Sequence, residues 1–172
     1  LAGAPKGSMQ LEIGLQSFNS RTLAAVCRAA DTGRLAENIA AVLAPGNIHV
    51  HIDLIAGLPH EDRASFAESF RRAFRLRPHM LQLGFLKLLY GAPMREEPEK
   101  YPCEFSPAPP YEVISTPWLT SEELAGLRRA DDALGRLYNR GRFRRTGEYA
   151  AGTGVEPLAF FTGLGELLPA GH

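Results

Sequence analysis

At 172 residues, 45% of them hydrophobic, the chain is long enough for one ordinary domain with its own core. Lysine plus arginine equals aspartate plus glutamate at 19 each, so no overall positive field draws nucleic acid or an anionic membrane. The only two cysteines, Cys27 and Cys103, lie far apart, which excludes a disulfide framework and suits a reducing cytoplasm, the expected location. No stretch approaches a membrane span, and the first residues lack the basic-then-apolar order of a signal peptide.

The apolar run Gln10 to Gln16 reads as a strand that ends at Ser17-Phe18-Asn19, with Asn19 or Ser20 capping a helix from about Arg21 to Arg28. Asp31 or Thr32 caps a second helix, in which Leu35, Ile39, Val42 and Leu43 recur at helical spacing until Pro45-Gly46. Ile48 to Ile55 is the next strand, closed by Gly57-Leu58-Pro59. A helix opened by Asp62 or Ser65 then carries Phe66, Phe70, Ala73, Phe74 and Leu76, and Pro78 ends it before a strand over Met80 to Leu89. Aliphatic strands alternating with helices predict an α/β fold with a parallel sheet whose ligands lie at the carboxyl edge.

After Gly91 the pattern changes. Prolines are frequent from Pro93 to Pro117, which predicts an extended wrap. Thr120 and Glu123 form a capping box for an amphipathic helix with Leu124, Leu127, Leu134, Leu137 and Tyr138, ending near Gly141. Arg136, Arg140, Arg142, Arg144 and Arg145 read as a solvated terminus opposing the negative end of the helix dipole, with a phosphate-facing patch as the alternative. Leu158, Phe160, Phe161, Leu164, Leu167 and Leu168 make a short helix or docking tail. The expected division is therefore 1–92 for the sheet and 93–172 for the wrap and a mostly helical extension.

One face of the first strand carries Glu12, Gly14 and Gln16, and one face of the second carries His49, His51 and Asp53. Unpaired burial of such groups costs on the order of 1–3 kcal/mol each, so something polar lies in front of this face. Taken singly, His49 and His51 read as satisfied core histidines, Glu12 as an interior partner, and Lys87 as a lysine reaching solvent past its strand.

The runs Glu12-Ile13-Gly14-Leu15-Gln16-Ser17-Phe18-Asn19 and Ile52-Asp53-Leu54-Ile55-Ala56-Gly57-Leu58-Pro59, with Arg28 between them, resemble the fourth and fifth barrel strands of radical S-adenosylmethionine (radical SAM) enzymes. Leu83 to Met94 resembles the sixth strand and its exit loop. The resemblance extends to the cobalamin-binding-domain-containing branch with an uncharacterised carboxyl-terminal domain. It implies the last three strands of a TIM-like (βα) barrel followed by a helical extension. It also implies cofactor-binding roles for Gln16, Arg28 and Asp53, which would contact S-adenosylmethionine in an iron–sulfur enzyme that cleaves it reductively to begin radical chemistry on an unknown small-molecule substrate. In chemical terms, a carboxamide can bond adenine or ribose edges, a guanidinium can clamp the methionyl carboxylate and an aspartate can accept both ribose hydroxyls.

The chain departs from that family in lacking the CxxxCxxC loop that holds a four-iron four-sulfur (4Fe-4S) cluster. Cys27 reads as a buried small hydrophobe and Cys103 as a loop thiol. Three βα units cannot close a barrel, so the expectation is a piece of a longer enzyme, inactive alone, with the cluster and any cobalamin held elsewhere in the parent. Such a piece is expected to self-associate through the open edge of Gln10 to Gln16. No metal site is assigned. Two other readings are a metal-dependent hydrolase of amidohydrolase type using His49, His51 and Asp53, and an interaction module presenting the Pro-rich stretch and the Phe160-Phe161 tail.

Overall fold

The computed structural model describes residues 2–169. Its first half is β1 (Gln10–Gln16), α1 (Ser20–Ala25), α2 (Thr32–Leu43), β2 (His49–Ala56), α3 (Arg63–Arg75) and β3 (Met80–Phe85), with the three strands parallel in the order β1-β2-β3. Each main helix starts on a side-chain cap: Asn19 accepts from Arg21 and Thr22, Asp31 from Gly33 and Arg34, and Asp62 from Ser65. One sheet face is apolar. Val50, Ile52, Leu54, Leu81 and Leu83 are buried with Phe66, Phe70 and Phe74 of α3 and Ile39 of α2, and each such side chain contributes about 1.5–3 kcal/mol by leaving water. The opposite, polar face carries the candidate site.

Two boundaries differ from expectation. Helix α1 stops at Ala25, because Arg28 N–H reaches Leu23 O (2.8 Å) and Cys27 N–H reaches Ala24 O (3.2 Å) around a left-handed Cys27 at φ 55°. Cys27 is therefore an exposed helix terminator rather than a buried hydrophobe. Strand β3 stops at Phe85 instead of Leu89, because the chain there turns to a different partner. Leu88 N–H bonds Tyr111 O, Val113 N–H bonds Leu86 O, and Lys87 bridges antiparallel to Glu112.

The Pro-rich stretch is less uniformly extended than its composition predicts. It holds the one-turn helix α4 (Pro93–Glu96) and the antiparallel strands β4 (Glu104–Phe105) and β5 (Val113–Ser115). Val113 is fully buried in the core, so the wrap is pinned rather than loose.

The capping box at Thr120 and Glu123 opens α5 (Ser121–Ala133), which continues as a π-helical segment (Leu134–Asn139). Helix α6 (Arg144–Gly152) begins inside the arginine cluster, where the sequence suggests only a helix end, and α7 (Pro157–Leu167) starts on a Glu156 cap with proline at its first turn. Leu158 and Phe161 of α7 join Leu124, Leu127 and Ala130 of α5 in the same hydrophobic cluster as the sheet, so the partner of the tail is α5.

This extension also finishes the sheet. Asp131 Oδ1 accepts from Leu83 N–H at 3.1 Å, and Asn139 Oδ1 accepts from Leu81 N–H at 3.0 Å while its Nδ2 donates to Leu81 O at 2.8 Å. The outer edge of β3 thus finds its hydrogen bonds in side chains rather than in another strand. Burial pushes the Asp131 carboxyl above its ordinary value, against the Leu83 N–H bond, which lowers it.

Candidate functional site

Parallel register aligns the polar side chains in rows across the strands. Glu12 lies beside His51, and Gly14, Asp53 and Gln82 form the next row toward the carboxyl edge. Glu12, Gln16, His51, Asp53 and Gln82 line an open cleft of about 330 Å³ together with Ile55 and Gly84. It has two carboxylates and no lysine or arginine in its lining.

Gln16 occupies the last position of β1 in an unusual conformation. Its φ is 68°, the register with β2 slips there so that Gln16 stands beside Leu54, and Ser17 N–H closes a three-residue turn onto Leu15 O at 2.9 Å. Positive φ in a non-glycine residue is strained and persists only where the surroundings enforce it. Gly14 leaves room for the Gln16 carboxamide, since a β-carbon there would sit 2.5 Å from Gln16 Nε2 and 3.6 Å from the Arg28 guanidinium. Arg28, just past the end of α1, donates from Nη1 to Gly14 O at 3.1 Å. Gln16, Arg28 and Asp53 thus each neighbour Gly14, with Gln16 and Asp53 in the cleft lining and Arg28 outside it.

His51 is 8% exposed, and its Nε2 lies 3.2 Å from Asp53 Oδ1 without hydrogen-bond geometry. Burial pushes the Asp53 carboxyl above its usual value, the nearby His51 opposes this, and the negative charge of Glu12 adds to it. Two buried polar atoms at the cleft, Gln16 Oε1 and His51 Nε2, have no hydrogen-bond partner among the described residues. The reading of both histidines as satisfied core residues is corrected on two counts. His49 is exposed and its ring packs 4.9 Å from that of His79, while His51 is buried but unsatisfied at Nε2. Glu12 is exposed and accepts from Gln10 Nε2 at 3.0 Å rather than serving as an interior partner. Lys87 is exposed, as expected, and stands outside the cleft lining. Among the described residues no three of His, Cys, Asp and Glu converge closely enough to hold a metal ion.

Sequence reading passes over Glu61, which the fold buries completely just beyond Gly57-Leu58-Pro59. Its Oε1 accepts from Ser17 Oγ at 2.5 Å and from Ser69 Oγ at 3.0 Å. Burial pushes its carboxyl up to about 7, the two serine hydroxyls pull the other way, and Asp62 adds a smaller upward push. The only hint in sequence is a serine directly after Gln16.

Three comparisons with known proteins bear on this chain. Residues 99–168 match the family described as "Protein of unknown function (DUF4080)", which covers the extension that closes β3. No curated protein matches the chain. Among solved structures, one described as "Coproporphyrinogen III oxidase (HemN) from Escherichia coli is a Radical SAM enzyme" is 31% identical over 45% of this chain, with a TM-score of 0.42. The matched part is 18% of that chain, so this sequence spans less than a fifth of it. No helix among the described residues is long and apolar enough to cross a membrane.

Proposed function

We propose that the cleft binds the nucleoside end of S-adenosylmethionine, and that the chain forms the last three strands of a radical S-adenosylmethionine enzyme barrel followed by its carboxyl-terminal extension. The observation that carries this reading is the surroundings of Gly14, which has Gln16 and Asp53 beside it on the polar sheet face and the Arg28 guanidinium bonded to its carbonyl. The donor set fits a nucleoside. Asp53 offers a half-buried carboxylate to a pair of ribose hydroxyls. Gln16 offers an Oε1 with no donor of its own, and Arg28 holds an exposed guanidinium beside it for a carboxylate. When bound, S-adenosylmethionine supplies the adenosyl group on which radical initiation rests.

The iron–sulfur cluster does not fit this chain. Cys27 and Cys103 are its only thiols, one an exposed helix terminator and the other a half-buried loop residue whose thiol burial pushes up. A role for cobalamin rests on the sequence resemblance alone. The amidohydrolase reading gains no support, since His49 turns to His79 instead of joining His51 and Asp53.

The test is calorimetric titration of S-adenosylmethionine into the chain and its Asp53→Ala variant. Loss of charge-assisted hydrogen bonds worth roughly 1.5–3 kcal/mol is expected to weaken binding about tenfold or more. Among the described residues the Asp53 side chain meets His51 and no backbone group, so the melting temperature is expected to hold. Equal affinity in the two proteins, or no binding by either, overturns the reading.

A further inference from the structure

We infer that Glu61 is a positioning residue for Gln16: by gathering the hydroxyls of Ser17 and Ser69 onto one carboxyl oxygen, it holds the turn that keeps the Gln16 carboxamide in the cleft. Gln16 lies in the left-handed region, which an L-residue leaves unless its neighbours are fixed. The three residues that follow it are fixed one after another. Ser17 Oγ donates to Glu61 Oε1 (2.5 Å) and accepts from Asn19 N–H (2.8 Å). Phe18 N–H donates to Ser69 Oγ (3.0 Å), whose own proton goes to Glu61 Oε1 (3.0 Å). Asn19 Nδ2 donates to His60 O (3.0 Å) on the loop that carries Glu61. One side chain therefore joins three parts of the chain, the end of β1, the loop after β2 and the middle of α3, at the point where the positive-φ residue needs them. Remove the carboxyl, and both hydroxyls lose the acceptor that orients them.

The network is also placed to change charge near neutrality. Glu61 Oε2 has no donor among the described residues, and burial raises the group to about 7. The groups around it are Asp62 and His60 on its own loop, Ser17 and Asn19 from the turn, and Ser69 on α3. Trp118 meets the His60 ring edge-on at 4.8 Å, and Arg72 of α3 stacks over Phe18. Deprotonated, Glu61 accepts from both serines. Protonated, it becomes a donor with one fewer lone pair to offer them. Gln16 feels that change through Ser17. The ligand side of this inference rests on the nucleoside reading above, whereas the positional side does not.

The experiment uses the isotopically labelled chain and adenosine as the probe. Nuclear magnetic resonance signals of the Gln16 side-chain amide and the Ser17 backbone amide are followed from about pH 5.5 to about pH 8.5, spanning the shifted carboxyl. A step near neutrality in both signals is expected in the wild type, and its absence in Glu61→Gln, which keeps the acceptor oxygen without titrating. Glu61→Ala is expected to move both signals, speed exchange of the Ser17 amide and weaken adenosine about fivefold to tenfold, as loss of an orienting hydrogen bond does. In a Gln16→Ala background the same change is expected to have no further effect on adenosine. Should Glu61→Ala fail to fold, Ser17→Ala breaks the same link with the carboxyl left in place. Gln16 and Ser17 signals that ignore both pH and the Glu61 variants overturn the inference. So does equal weakening of adenosine with and without Gln16. Failure of the wild type to bind adenosine counts against the nucleoside reading alone, because the pH step and its loss in Glu61→Gln still decide the positional claim.

Discussion

Asn139 stands in for a neighbouring strand at Leu81, bonding both its N–H and its C=O. An isolated carboxamide that satisfies two backbone groups at a sheet edge is hard to replace, because a shorter side chain leaves both without partners in a partly buried place. Asn139→Ala is expected to cost about 1–3 kcal/mol in urea unfolding. A change under a few tenths of a kcal/mol would show that water serves Leu81 equally well.

Among the described residues the opposite edge of the sheet has no such cover. β1 pairs only with β2 among the described residues, and the segment before it is tied to the amino end of β2 by Asn47, which donates to Ala4 O at 2.8 Å. We expect the chain to associate through Gln10–Gln16. Light scattering should show mass rising with concentration, accompanied by slower amide exchange from Leu11 to Leu15. A constant monomeric mass with fast exchange there removes the idea.

Glu61 sets a pH dependence of stability whose sign follows from its raised value. The group sits at about 7 in the fold against 4.5 as an ordinary glutamate, so the native state holds a proton that the unfolded chain has released between those values. Its contribution is fully present below about 4.5 and is lost as pH rises through about 7. The loss amounts to roughly 3 kcal/mol at most, at 1.36 kcal/mol per pKa unit. Urea midpoints should fall between pH 5 and pH 8 in the wild type, measured as about that interval of titration. Glu61→Gln should flatten the slope, and a variant with the same slope as wild type would assign the dependence to other groups.

Helices α5 and α7 approach closely at a glycine. A β-carbon on Gly165 would overlap the Arg129 carbonyl, which is backbone and cannot rotate away, whereas one on Gly163 meets nothing within 4 Å. Gly165→Ala is expected to destabilise by about 1–3 kcal/mol through overpacking, exceeding the roughly 1 kcal/mol that alanine gains in helix propensity. Gly163→Ala shows that propensity gain without the clash. Equal thermal shifts for the two variants would mean that α7 is free to move off α5.

Much of the first half was legible in sequence because caps and periodicity agree there. Asn19, Asp31 and Asp62 do cap helices, and Glu12, Gln16, His51 and Asp53 of the polar rows line one cleft, whereas His49 turns to His79. What escaped depended on contacts distant along the chain. Leu86 to Leu89 look like more strand, and only the return of Tyr111 and Val113 ends β3 early. Cys27 gives no warning that it takes the left-handed position glycine usually fills. The His60-Glu61-Asp62 run reads as surface until Ser17 and Ser69 close over its middle residue. Helix α6 was hidden by its arginines, which suggested an ending where Gly147 packs against the Phe161 and Phe74 rings.

The π-helical segment gives the last long helix an adjustable phase. Asp131 and Asn139 are eight residues apart, and both must point at β3. At about 100° per residue a regular α-helix would leave them about 80° out of alignment. The wider turn over Leu134–Asn139 winds through less angle per residue and brings the second side chain back toward the sheet. Wound as regular α-helix at its present length, the segment would carry Asn139 about 80° away from Leu81, so the winding of this helix decides whether the outer edge of β3 finds its partners.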